Sequence, residues 1–193
     1  MTKSINFAFG NMKIPKTTAI FNMGTAKECP SLKLGLCKLG KKCYALKPEK
    51  RFPKTVPAAR KLQEKQWKST DAVTFVADLL AQNGRKRTNK IDSLRFNEAG
   101  DFWSQECVDK ANQVAELLKP HGIKTYVYTA RRDLDYSNIT DLVVNASGWE
   151  LANGNTFTAV KAYSGNGIQC DCDCKKCNTC ATNHGKLIEV LMH

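Results

Sequence analysis

Five of the chain's nine cysteines fall in one run, Cys170-Asp171-Cys172-Asp173-Cys174-Lys175-Lys176-Cys177-Asn178-Thr179-Cys180. Without Cys172, the thiols of Cys170, Cys174, Cys177 and Cys180 are separated by three, two and two residues. Bacterial ferredoxin loops use the same gaps in the opposite order to wrap a cubic 4Fe–4S cluster. Structural zinc usually draws on two separate Cys-x-x-Cys knuckles. Overlapping knuckles crowd four sulfurs onto one short loop, which suits a cluster with four metal corners better than one tetrahedral ion. Iron–sulfur is therefore the favoured reading. Zinc is the first alternative, and disulfides or free thiols are the second.

Three more thiols, Cys29, Cys37 and Cys43, share a segment rich in turn formers, with Pro30, Gly35 and Gly40 between them. The segment follows Thr17-Thr18-Ala19-Ile20-Phe21, a short β-rich run that Asn22-Met23-Gly24 ends. Three thiolates leave the fourth position of a metal centre open, as a catalytic centre requires; a structural zinc site is closed. The alternative is a zinc loop completed by a distant His or Cys, such as His184. Cys107 reads as an ordinary core thiol.

The elements that must position these sulfurs follow an α/β plan. Helices are expected at Val56–Trp67, with Pro57 in the first turn, and at Asp71–Gln82. Val73, Val76, Leu79 and Leu80 mark the apolar face of the second, and Asn83-Gly84 ends it. A basic loop follows, Gly84-Arg85-Lys86-Arg87-Thr88-Asn89-Lys90, read as solvated or phosphate-gripping. Three short strands then each run into polar residues and a turn: Ile91–Phe96, Thr125–Tyr128 and Asp141–Val144. A helix at Ser104–Lys119 separates the first two, with Val108, Ala111, Ala115 and Leu118 inward. A further strand is expected at Thr156–Tyr163, and a short helix at Lys186–Leu191.

Strands separated by helices imply parallel pairing, with the ligand site beyond their carboxyl ends. Those ends carry Arg95, Asn97, Glu98, Asp101, Tyr128, Thr129, Arg131, Asp133, Asn145 and Ser147. Glu98, Asp101 and Arg131 are the catalytic candidates. Asp101 also reads as a cap for the helix that starts at Ser104. The expected architecture is one domain over residues 1–193. A partial, half barrel of mostly parallel strands with helices outside occupies residues 16–163. A C-terminal cysteine hook and tail over 164–193 packs on it.

The formal net charge is +12. Thiolates bound to metal would lower it, but the excess still favours an anionic partner, nucleic acid above all. No apolar run reaches membrane-spanning length and no signal-peptide pattern opens the chain. Clustered cysteines in a reducing cytoplasm read as metal ligands.

Several blocks resemble the phage gene product 88 family. These are Asn22-Met23-Gly24 with Cys29-Pro30-Ser31, Gly35-Leu36-Cys37 and Cys43-Tyr44-Ala45; Leu94-Arg95-Phe96-Asn97-Glu98-Ala99-Gly100-Asp101-Phe102; and Tyr126-Val127-Tyr128-Thr129-Ala130-Arg131. The final block of that family is typically Cys-Pro-Gly-Asp-Cys-x-x-Cys-x-x-Cys. Asp171 and Cys172 here stand where it has Pro and Gly, which makes Cys172 a spare thiol. The resemblance implies a phage-encoded protein acting in the cytoplasm of an infected bacterium.

The family in turn resembles radical S-adenosylmethionine (SAM) enzymes. In those, three cysteines after the first barrel strand hold a 4Fe–4S cluster whose fourth iron takes SAM. Cys29, Cys37 and Cys43 occupy the matching place, at gaps of seven and five residues where those enzymes have three and two. The resemblance implies SAM as cofactor, a host reductant of flavodoxin or ferredoxin type, and an auxiliary cluster on the C-terminal cysteines. Arg95, Asn97, Glu98, Asp101, Tyr128, Thr129, Arg131, Asn145 and Ser147 would line the SAM or substrate site. The substrate suggested by basicity and phage context is a nucleotide or nucleic acid. Two other readings are a non-enzymatic metal-stabilised protein that binds nucleic acid or a host protein, and a hydrolase built on Glu98 and Asp101 with a divalent ion.

Overall fold

The computed structural model describes residues 4–182 and 185–192, so the candidate ligand His184 lies outside the described residues. Its strands are β1 (Ala8–Phe9), β2 (Thr18–Phe21), β3 (Ser93–Phe96), β4 (Lys124–Thr129), β5 (Leu142–Ser147), β6 (Asn155–Val160), β7 (Ile168–Cys170) and β8 (Leu187–Leu191). They form a single sheet in the order β1-β2-β3-β4-β5-β6-β8-β7. Only β1 runs antiparallel to its neighbour; every other pairing is parallel. The sheet is open, with β1 and β7 at its edges.

Three longer helices cover one face: α3 (Val56–Ser69), α4 (Ala72–Arg85) and α5 (Gln105–Leu118). Alternation along each strand decides what they touch. Phe21, Leu94, Phe96, Val127, Leu142 and Val144 point into a core shared with Trp67, Phe75, Leu79, Val108 and Leu118. Phe75 is its hub, edge-on to Phe21 at 4.9 Å and to Trp67 at 5.3 Å between ring centroids. Asp71 caps α4 by accepting a bond from the Thr74 N–H at 2.7 Å.

Several elements differ from the sequence reading. The tail is strand β8, not a helix, because Leu187-Ile188-Glu189-Val190-Leu191 finds an open backbone edge on β6. Its β-branched residues suit that pairing. Val73 is 61% exposed, and Ala72 and Phe75 take the inward positions instead. Helix α4 also passes through Asn83-Gly84 to Arg85, which takes the first residues of the expected basic loop into the helix. The loop after β2 contains two short helices, α1 (Pro30–Lys33) and α2 (Leu46–Arg51), and the hook contains β7 and α6 (Thr179–Thr182). No helix among the described residues is long and apolar enough to cross a membrane.

Candidate metal centre on the polar sheet face

The face opposite the long helices carries the residues of other parity: Ser93 and Arg95 on β3, Tyr126 and Tyr128 on β4, Asn145 and Ser147 on β5. A polar sheet face needs a polar cover, and the cysteine hook supplies it. Helix α6 packs on β4 and β5. Asn145 Nδ2 donates to the Cys180 carbonyl at 3.0 Å and to the Val127 carbonyl at 3.1 Å. Its Oδ1 accepts from Asn155 Nδ2 at 3.0 Å, and Asn155 Oδ1 accepts the Lys186 N–H at 3.2 Å. Both asparagines are fully buried. They lock the C-terminal side of the hook, at Cys180 and Lys186, to the sheet through side-chain amides, each using donor and acceptor at once. Asn155 was not among the sequence candidates.

All nine cysteines are free thiols. Cys170 lies in electrostatic reach of Cys172, Cys174 and Cys180; burial, and then these neighbours, push its thiol up to about 12. Burial also raises Cys174 and Cys180, and each senses Cys177 and Arg95. Cys172 has φ +62, a backbone conformation that favours glycine. That agrees with the Gly found there in the final block the chain resembles.

The second sulfur group lies on the loop after β2. Cys37 is in electrostatic reach of both Cys29 and Cys43. Burial, and then Asp101, push Cys29 up to about 12. A thiol so disfavoured as an anion is a poor free nucleophile; a bound metal cation would have to displace its proton. Among the described residues, no three or more His, Cys, Asp or Glu side chains are preassembled as a ligand sphere. The donor set is nonetheless soft sulfur in groups of three and four or five, which fits iron–sulfur or zinc and not a hard cation.

Two buried carboxylates hold this loop. Glu49 Oε1 accepts the Ala26 N–H at 2.7 Å and pairs with Arg60 Nη1 at 2.6 Å; the same nitrogen reaches the Ala45 carbonyl at 3.0 Å. One ion pair thus ties the stretch before Cys29 and the stretch after Cys43 to α3. Asp101 Oδ2 accepts from Ser31 Oγ at 2.5 Å and the Ala130 N–H at 2.9 Å, while Oδ1 accepts the Phe102 N–H at 2.8 Å. It joins the cysteine loop to the ends of β3 and β4. Asp101 is therefore a buried junction, 3% exposed, and the N-cap position of α5 is held by Ser104, not by Asp101. Gly100 serves the same junction: at φ +74, a Cβ would come within 2.9 Å of the Gly24 backbone.

Burial raises the Asp101 pKa above the ordinary carboxylate range. A raised pKa means the native state binds this proton more tightly than the unfolded chain. Its contribution to stability is thus full at the acid end and is lost as pH rises through the folded-state pKa. Chemical unfolding across pH 3–8 is expected to show that decline. The Asp101→Asn variant, which cannot titrate there, should flatten it; an unchanged profile would refute this assignment.

The remaining candidates divide. Arg131 does not face the thiols: it forks onto Asp133 at 2.8 and 2.9 Å and donates to the Phe102 carbonyl. Its neighbour two residues on was available to sequence inspection as a local partner. Thr129 Oγ1 accepts the Arg131 N–H at 3.1 Å, on the helix side. Asn97, at φ +58, accepts the Met23 N–H at 3.2 Å. Glu98 Oε1 accepts from Asn11 Nδ2 at 2.7 Å.

Arg95 joins Tyr44 of the first cysteine loop to the C-terminal hook. It is 8% exposed, and its Nη2 donates to Tyr44 Oη at 3.1 Å, directly after Cys43. Its guanidinium lies 4.7 Å from the Tyr128 ring centre, and it is in electrostatic reach of Cys174 and Cys180. No salt-bridge partner meets it among the described residues, and Nε has no hydrogen-bond partner. Glu98 is in electrostatic reach but forms no salt bridge with it, so a buried cation here has room for further negative charge.

No curated protein and no solved structure matches the chain. The gene product 88 family matches residues 2–166, which covers the cysteine loop after β2 and the strands bearing Arg95, Tyr128 and Asn145, and stops before Cys170. Over that span the chain belongs to the gene product 88 family of phage proteins.

Proposed function

We propose that this chain is an iron–sulfur protein whose open, mostly parallel sheet acts as a radical-SAM-like partial barrel in the cytoplasm of the infected bacterium. Cys29, Cys37 and Cys43 would hold one 4Fe–4S cluster with an open corner for SAM. Cys170, Cys174, Cys177 and Cys180 would hold a second, leaving Cys172 spare. The observation that supports the reading is Arg95: a buried guanidinium with no salt bridge among the described residues, in electrostatic reach of Glu98, Cys174 and Cys180 and bonded to Tyr44 beside Cys43. Thiolate-ligated clusters bring the negative charge that site lacks.

When bound, the cluster and SAM supply one-electron cleavage of the sulfonium carbon–sulfur bond, with the electron from a host carrier of flavodoxin or ferredoxin type. The chain's own residues hold the site. Glu49 and Asp101 fix the loop that presents the three thiols. Tyr44 and Arg95 bridge that loop to the sheet. Asn145 and Asn155 clamp the hook over Tyr126 and Tyr128, which keeps water from this face. The substrate reading, a nucleotide or nucleic acid, follows from the charge of +12.

The test is anaerobic reconstitution with iron and sulfide, followed by reduction and addition of SAM. Bound iron and sulfide, a SAM-dependent change in the EPR spectrum and release of 5′-deoxyadenosine are expected. Iron-loaded protein that ignores SAM would end the enzymatic part of the reading. Colourless, zinc-loaded and fully folded protein would instead favour a non-enzymatic binding role.

A further inference from the structure

Positive charge is unevenly spread along the chain. Residues 27–54 carry nine cations: Lys27, Lys33, Lys38, Lys41, Lys42, Lys47, Lys50, Arg51 and Lys54. All nine are exposed. The same stretch has only two acids, and each is already paired, Glu49 with Arg60 and Glu28 with Lys61. Most of the formal excess of +12 is therefore a collar around the Cys29, Cys37 and Cys43 loop. The collar reaches the strand ends, since a Cβ on Gly148 would come within 3.1 Å of the Lys38 stem.

Two aromatic rings stand out from this collar, Tyr44 and Phe52, each 50% exposed. Tyr44 is tethered at its tip: Oη donates to the Glu98 carbonyl at 3.0 Å and accepts from Arg95. A ring fixed at its hydroxyl yet half accessible is a rigid stacking surface. Phe52 is flanked by Arg51, whose guanidinium lies 5.3 Å from its ring centre. Cations on both sides of two separate rings match the alternation of phosphates and bases in a single strand. A duplex hides the base faces such rings need. An acidic protein would be expected to meet one apolar centre framed by charge, not two rings set apart among lysines.

We propose that the collar of residues 27–54 binds single-stranded nucleic acid across the cysteine loop, with lysines on phosphates and Tyr44 and Phe52 stacked on bases. This deepens the functional reading above by naming its substrate class, and it places that substrate at the mouth of the three-thiol site.

The test measures fluorescence anisotropy of labelled single-stranded DNA, single-stranded RNA and duplex DNA with the full chain, over a salt series. Single strands are expected to bind more tightly than duplex, and the DNA and RNA arms decide which source of strand is preferred. The triple variant K38E/K41E/K42E is expected to weaken binding at least ~30-fold and to flatten the salt slope by about 2. Phe52→Ala is expected to cost about tenfold, as loss of one stacked base does. Arg87→Glu, a charge reversal in the other basic segment, should change binding less than about twofold. The proposal is overturned if the triple variant binds like the parent, if Arg87→Glu weakens binding as much, or if poly-glutamate displaces the strand at equal charge. Iron and sulfide are assayed on the same samples. Lost binding with full metal content isolates the collar, and intact binding without metal isolates the cluster reading.

Discussion

Glu49→Ala is expected to destabilise the protein by about 3–5 kcal/mol, the usual cost of removing one partner of a buried ion pair. Three losses coincide. Arg60 is left as an uncompensated cation at 5% exposure. The Ala26 N–H loses its acceptor, and the Ala45 carbonyl keeps only a guanidinium that has lost its anchor. Urea unfolding measures the loss. The double variant Glu49→Gln with Arg60→Met removes both charges and should recover much of it, because apolar replacement of a whole buried pair is often close to neutral. A single variant as stable as the parent would show that the pair does not hold the loop. Metal content is the second readout: this pair secures both flanks of Cys29, Cys37 and Cys43, so those thiols should lose metal before the hook does.

The sequence made the strands legible and the couplings between them illegible. Short β-branched runs ending in polar residues identified β2 to β6 because that alternation is local. Strand β1 is two residues long and leaves no periodic trace. The tail reads as a helix from its apolar residues Leu187, Ile188, Val190 and Leu191; it is a strand because β6 offers it a backbone edge. The cysteines were legible as groups because spacing on one loop is a property of sequence. That Arg95 touches Tyr44 on one loop and senses Cys174 on the other was not, because both are joined to it by the stacking order of β3, β4 and β5. The same limit explains Glu49, Gln63 and Asn155. Gln63 Oε1 accepts from the Asn22 backbone and side chain at 3.1 and 3.0 Å, across forty-one residues of chain. Arg131 and Asp101 were singled out for chemistry by position at strand ends, where a charge in a junction and a charge in an active site look alike.

Arg95→Met is expected to lower metal retention by the C-terminal thiols at least tenfold, with Arg95→Lys recovering part of it. The reasoning is electrostatic. A thiolate-ligated centre would add negative charge, and the buried cation in electrostatic reach of Cys174 and Cys180 is the Arg95 guanidinium. Replacing that charge by an apolar side chain of similar length preserves packing against Tyr128 but leaves the bound centre uncompensated. Lysine restores the charge without the planar fork that also reaches Tyr44, so its recovery is incomplete. Without metal the sign reverses. Arg95 is then a buried ion with Glu98 in reach but no salt bridge, and Arg95→Met should unfold at about the same denaturant as the parent or higher. That crossing separates a counter-charge from a packing residue, which would weaken both forms alike. Competition with a chromophoric chelator on metal-loaded protein, paired with urea unfolding of metal-free protein, reads both halves. Equal retention in all three proteins would remove Arg95 from any role at the thiols.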